Sequence, residues 1–183
     1  MAMGLFFLVF ILIGILLVSA VIDIRVQKIP NLLTFPTMAL ALFYFSATNG
    51  WSGLLFSAEG LALGMLMFII PYVMGGMGAG DVKLMGAVGA VLGPKGAFLS
   101  FIFIAVAGGI YALILLLIHF EYGKEFLKRN FLTLKTFVTT GQLISIPAAE
   151  NIKVPRLCYG VVIALGTYFY MYLGMKGYEF ILI

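Results

Sequence analysis

Two aspartates, Asp23 and Asp81, are the residues of this sequence best placed for chemistry. Asp23 ends a long apolar run, and Asp81 lies in a glycine-rich stretch between two further apolar runs. A carboxylate beside membrane-spanning helices is costly, so it is by default a candidate for a functional site. Two carboxyl groups in one site can hold a single proton, so that one acts as general base on a water molecule and the other as general acid. That chemistry is aspartic peptide hydrolysis, which requires no metal, cysteine or histidine.

Each aspartate also has a purely structural interpretation. Asp23 could form an ion pair with Arg25 or Lys28 and do nothing else. Asp81 could cap the N-terminus of the helix that follows it, where an acid interacts favourably with the helix dipole. The residue types alone therefore leave catalysis and helix capping as alternatives.

The amino-acid composition indicates that these two aspartates lie in a membrane protein. The chain has 183 residues, of which 63% are hydrophobic and 10% charged, with a mean hydropathy of +1.18. Soluble domains are roughly 45–50% apolar and about 25% charged, so we expect an all-α integral membrane protein. The net charge of +4 suits contact with anionic lipid in the bilayer, and we expect no nucleic-acid partner. A single cysteine, Cys158, and a single histidine, His119, predict no disulfide, metal site or cofactor.

Apolar runs and their breaks predict six membrane spans within one polytopic domain over residues 1–183. The predicted spans are 6–22, 32–48, 54–74, 82–92, 97–118 and 155–173.

Pro30 suits the first turn of the second span, and Asn31 beside it is interpreted as a turn or capping residue. Lys83 is interpreted as a topology anchor, with tuning of the acid pair as the alternative. Residues 121–153 carry more charge and predict either an amphipathic helix in the membrane surface or a solvated helix.

The short span 82–92 decides the topology. If it crosses the membrane, nine of the 11 basic residues share one side, whereas a re-entrant segment divides them five against six. The nine residues are Arg25, Lys28, Lys83, Lys124, Lys128, Arg129, Lys135, Lys153 and Arg156. Basic residues accumulate on the cytoplasmic side, which favours six crossings with both termini non-cytoplasmic. Asp23 and Asp81 are then both predicted at cytoplasmic ends of helices.

The sequence around both acids resembles a known family. Residues 78–81, Gly-Ala-Gly-Asp, match the Gly-x-Gly-Asp signature of membrane aspartyl proteases. Gly-Asp-Val-Lys-Leu at 80–84, together with Asp23 followed by Ile-Pro-Asn at 29–31, resembles the type IV prepilin and preflagellin peptidases. Segments 154–155, 159–160 and 164–166 are similar to the final span of that family, although the residues near Cys158 depart from its Pro-Tyr/Phe-Gly pattern.

This resemblance implies a specific activity. The protein would lie in the inner membrane and cut short basic leaders from prepilin, pseudopilin or archaeal preflagellin precursors at the cytoplasmic face. The resemblance implies Asp23 and Asp81 as the catalytic pair, and it assigns supporting roles to other motif residues. Those supporting residues are Gly78, Gly80, Lys83, Pro30 and Asn31. Larger bacterial members carry Cys-x-x-Cys motifs and also methylate the new N-terminus; this sequence has one cysteine, so we expect no methyltransfer.

Two other functions stay open from the residues alone. Presenilin-like intramembrane proteases share Gly-x-Gly-Asp, but their partner acid typically follows a tyrosine within a span, whereas Asp23 follows Ile22 at the end of one. A small transporter or channel subunit would require polar groups within the membrane, and Glu59 is the only acid placed well inside a predicted span.

Overall fold

The computed structural model describes residues 2–73, 76–118 and 158–176, and these residues form four helices without any strand. The helices are α1 (Ala2–Val26), α2 (Asn31–Val73), α3 (Ala79–Ile118) and α4 (Tyr159–Met175). The predicted all-α class is therefore confirmed. The amphipathic or solvated helix predicted over 121–153 lies outside the described residues.

The chain divides into two compact units. One comprises Met1–Gly108 and Cys158–Ile183, and the other comprises Gly109–Leu157. The second unit is described only over residues 109–118, which are the last turns of α3. The cavity that holds Asp23 and Asp81 lies within the first unit.

Helix α2 is a hairpin of two helical segments that reverses at Gly50. This residue has φ 61° and ψ −139°, a backbone conformation that glycine adopts without steric cost. The rings of Phe45 and Phe56 lie 5.1 Å apart, whereas 11 residues of straight helix would separate them by about 16 Å. The reversal lies in the break between the predicted spans 32–48 and 54–74.

Helix α3 reverses in the same way at Gly93, which has φ 72°. Gly64 of α2 packs against the backbone of Met85. One turn further along α2, the ring of Phe68 contacts the ring of Phe101, with the two ring centres 5.8 Å apart. In one straight helix the Cα atoms of Met85 and Phe101 would be about 24 Å apart, so the chain must fold back between them. The described residues thus contain six helical segments, separated where the sequence predicts breaks.

Small residues bring α2 and the first segment of α3 into backbone contact. A side chain at Gly60 would meet the carbonyl oxygen of Gly89, and a side chain at Gly89 would meet the carbonyl oxygen of Gly60. The buried hydroxyl of Ser57 donates a hydrogen bond to the carbonyl oxygen of Ala90 at 2.8 Å. This close packing fixes the segment at whose N-terminal end Asp81 lies.

The surface of these helices is apolar, as a lipid environment requires. Phe6 is 74% exposed and Phe43 is 75% exposed, while Asp23 and Asp81 are only 6% and 7% exposed. Three helices are long and apolar enough to cross a membrane: Gly4–Val26, Asn31–Val73 and Ala79–Ile118. Helix α4 is apolar but shorter. Apolar side chains outside and these two aspartates inside are the arrangement of a membrane protein.

Candidate active site

Asp23 is the last member of a buried stripe on α1. Leu8, Leu12, Leu16, Ser19 and Asp23 are all buried, and their spacing of three or four residues places them on one face of the helix. Helix α1 packs against α4. In this contact the Tyr168 hydroxyl of α4 donates a hydrogen bond to the carbonyl oxygen of Ile13 in α1 at 2.7 Å. The helical period therefore carries the carboxyl group of Asp23 to the interior of the bundle.

The Asp23 carboxyl group is held by a residue far away in sequence. The backbone N–H of Gly160, in the first turn of α4, donates to Oδ2 of Asp23 at 2.8 Å across 137 residues. Sequence reasoning assigned no role to Gly160, although it placed 159–160 in a family-like final span. A glycine near the start of a helix does not by itself indicate a hydrogen-bond partner. The contact with Asp23 is recognised only from the packing of α4 against α1.

Asp81 is held instead by its own turn. The N–H of Gly78 donates to Oδ2 of Asp81 at 2.9 Å, and the N–H of Asp81 donates to the carbonyl oxygen of Gly78 at 3.1 Å. Asp81 lies in the first turn of α3. The capping interpretation is thus correct in part, because the side chain closes the turn at the start of the helix. Among the described residues, no group hydrogen-bonds the other carboxyl oxygen of Asp81.

Both aspartates line a single cavity of about 310 Å³. The lining residues are Asp23, Gln27, Lys28, Ile29, Asn31, Gly78, Ala79, Gly80, Asp81 and Lys83. Six of the seven site residues proposed from the sequence therefore meet at one place, and the seventh, Pro30, connects two lining residues at the head of α2.

The chain between α1 and α2 brings the two acids together. Gln27 directly follows α1 and has φ 54°, and its N–H still donates to the carbonyl oxygen of Asp23 at 2.9 Å. Pro30 then opens α2, and its carbonyl oxygen accepts the first hydrogen bond of that helix. A Cβ at Gly80 would lie 3.0 Å from the Cβ of Ile29, so glycine allows the first turn of α3 to pack closely against the segment between α1 and α2.

Lys83 and Asn31 form a polar tie beside the acids. The Lys83 ammonium donates to Oδ1 of Asn31 at 2.9 Å and lies 5.2 Å from the centre of the Phe35 ring. This contact joins the first turn of α2 to the second turn of α3. Asn31 is therefore more than a turn residue, and Lys83 has a structural partner in addition to any effect on topology.

We expect this tie to stabilise the site modestly. Lys83→Met should lower the free energy of unfolding by about 0.5–1.5 kcal/mol, the usual worth of one hydrogen bond. Asn31→Ala should cost a similar amount, and the double variant should cost no more than either, since one interaction is lost in all three. Thermal unfolding in detergent measures this, with Lys28→Met as control because it removes the same charge from the same cavity. Full additivity of the two losses would refute the tie.

The other residues that the sequence analysis considered for a function, Glu59 and Cys158, do not line this cavity. Glu59 is exposed on α2 and is not a lining residue. Cys158, which precedes α4, is partly exposed. Within the described ranges, no group of three or more His, Cys, Asp or Glu side chains could hold a metal ion. His119 lies outside those ranges.

Comparison with known proteins identifies relatives of this chain. Residues 10–113 match the type IV leader peptidase family, and this range contains both aspartates and ends before α4. The chain is 36% identical over 104 residues to a prepilin leader peptidase/N-methyltransferase of Bacillus subtilis (strain 168). The aligned part covers 55% of this chain and 41% of that protein. No solved structure matches the chain.

Proposed function

The chain belongs to the type IV leader peptidase family, and from this premise we propose that it is a membrane aspartic endopeptidase. Its substrates are prepilin, pseudopilin or preflagellin precursors, from which it removes a short basic leader. The observation that carries the proposal is the pair of buried carboxyl groups, Asp23 and Asp81, at one cavity. Each has one oxygen that accepts a backbone N–H, and no described residue hydrogen-bonds its second oxygen, which we assign to proton transfer.

The proposed reaction uses the pair as one unit with one shared proton. The ionised carboxyl group takes a proton from a water molecule, whose oxygen attacks the scissile carbonyl carbon. The protonated carboxyl group gives its proton to the carbonyl oxygen, which produces a tetrahedral diol. The carboxyl group that took the proton from water then gives it to the leaving nitrogen, while the other carboxylate takes a proton from a hydroxyl of the diol. The C–N bond breaks, a carboxylic acid and an amine are released, and the pair again holds one proton. Because the two groups titrate together, neither aspartate is assigned a fixed role.

We further propose that the six helical segments cross the inner membrane, with both acids at the cytoplasmic face. The reversals at Gly50 and Gly93 support six crossings, because each ends one segment and starts another. The nine-to-two division of basic residues then follows, with both termini non-cytoplasmic. Basic leaders are retained on that side by the same rule, which brings the cleavage site of the precursor to the acids.

The experiment that tests this function is leader removal in a defined system. The protein is purified into liposomes with a short-leader prepilin or a preflagellin, and the product is analysed by mass spectrometry. We expect cleavage at the leader junction of at least one precursor and an unmethylated new N-terminus. Cuts only inside the apolar helix of the substrate would indicate a presenilin-like protease. Intact precursors of both classes, with ion flux that depends on Glu59, would overturn the peptidase in favour of a transporter.

A further inference from the structure

One part of the site comes from residues beyond the family match. The match ends at residue 113, yet Gly160 of α4 contributes the only hydrogen bond that the structure shows to the Asp23 carboxyl group among the described residues. Gly160 is itself buried, and the hydrogen bond is short at 2.8 Å. A hydrogen bond from an N–H to a carboxylate is about twice as strong as one between neutral groups. The contact is therefore strong enough to orient the side chain of Asp23.

Both features of Gly160, its position and its lack of a side chain, suit this contact. Helix α4 begins at Tyr159, so the N–H of Gly160 lies in the first turn, where backbone N–H groups have no partner within the helix. A Cβ at this position would lie 3.0 Å from the Cβ and 3.1 Å from Oδ2 of Asp23. Any other residue would displace the carboxyl group by a few tenths of an ångström or push the helices apart.

The two aspartates differ in how they are held. Gly78 belongs to the same turn as Asp81, so the orientation of Asp81 is fixed locally. Asp23 has no such neighbour, because the residues around it in sequence are helical and its carboxyl group accepts its N–H from α4. The orientation of Asp23 therefore depends on how α4 docks on α1.

We propose that Gly160 is a positioning residue that aims the free oxygen of Asp23 at the shared proton and the attacking water. The inference rests on the proposed function, in which Asp23 and Asp81 act as one acid–base pair. Helix α4 is then an obligatory part of the peptidase, in addition to residues 10–113.

The first test is spectroscopic and does not require a substrate. The protein is labelled with 15N-glycine in detergent micelles, and the signals of Gly160 and Gly78 are identified by their loss in Gly160→Ala and Gly78→Ala. We expect the Gly160 signal to move in Asp23→Asn and to stay in Asp81→Asn. The Gly78 signal should show the opposite pattern, which makes it the matched control. A Gly160 signal that ignores Asp23→Asn would overturn the proposal.

The second test is kinetic and compares Gly160→Ala with Gly14→Ala. A Cβ at Gly14, on α1, would meet no atom within 4 Å. We expect Gly160→Ala to lower kcat per folded enzyme by roughly ten- to a hundredfold with KM nearly unchanged, because small misplacements of reacting groups have effects of this size. Gly14→Ala should cleave at the wild-type rate. The folded amount of each variant is taken from thermal unfolding, so that a merely structural loss leaves kcat per folded enzyme unchanged and refutes positioning.

The two tests separate this inference from the proposed function. In one outcome the wild type removes no leader, although the Gly160 signal responds to Asp23→Asn and the Gly78 signal responds to Asp81→Asn. The proposed function has then failed, and the hydrogen bond between Gly160 and Asp23 stands without a positioning role in catalysis. If the wild type cuts and Gly160→Ala cuts equally fast, the function stands and the inference is wrong.

Discussion

Asp81→Asn should lower the rate of leader cleavage by about 10²- to 10⁴-fold, the usual contribution of a positioned acid or base. Asn has the shape of Asp but can neither take a proton from water nor deliver one to the substrate. Its side-chain oxygen can still accept the N–H of Gly78, so the turn at the head of α3 should form as before. Asp23→Asn should have an effect of the same order, because the pair works as one unit. Single-turnover cleavage by purified variants measures both.

Glu59→Gln is the control for these two variants. It removes one acid from α2 without touching the cavity, so its cleavage rate should equal that of the wild type. Correct folding of all three variants is checked by their thermal unfolding in detergent. An Asp81→Asn variant that is folded and still cuts at the wild-type rate would remove Asp81 from the chemistry.

Gly89→Ala should have the largest effect on stability. A Cβ at this position would meet the carbonyl oxygen of Gly60, which is backbone and cannot rotate away as a side chain would. Overpacking of this kind costs typically about 1–3 kcal/mol, more than the gain in helix propensity from replacing a glycine. Because this contact holds the segment that carries Asp81, leader cleavage should fall together with the melting temperature.

Gly14→Ala is again the matched comparison for Gly89→Ala. The same substitution there places a Cβ in open space, so the melting temperature should stay or rise slightly. Equal melting temperatures for Gly89→Ala and the wild type would show that α2 and α3 are further apart than the structure places them.

Features with a local cause were predictable from the sequence. The reversals fall at Gly50 and Gly93 because glycine is the residue that adopts positive φ freely, and both lie in predicted breaks. The helical period put Asp23 on the same face as Leu16, so a buried carboxyl group could be expected. The turn at Gly78 that holds Asp81 is likewise contained within four residues.

Contacts between distant residues were beyond such reasoning. The hydrogen bond from Gly160 to Asp23 joins residues 137 apart, and it exists only because α4 packs antiparallel to α1. The tie between Lys83 and Asn31 joins two helix starts 52 residues apart. The spacing of these residues along the chain carries no signal for either contact, because helix docking is decided by the packing of many apolar side chains.

The measurement that tests the two-aspartate mechanism most directly is the cleavage rate of Asp23→Asn, Asp81→Asn and the variant that combines them. Residues that act as a unit are strongly non-additive, since loss of one already abolishes the joint function. We predict that the double variant cuts no more slowly than the slower of the two single variants. A double variant whose rate falls by the product of the two single losses would show that the aspartates act independently and would contradict a shared catalytic pair.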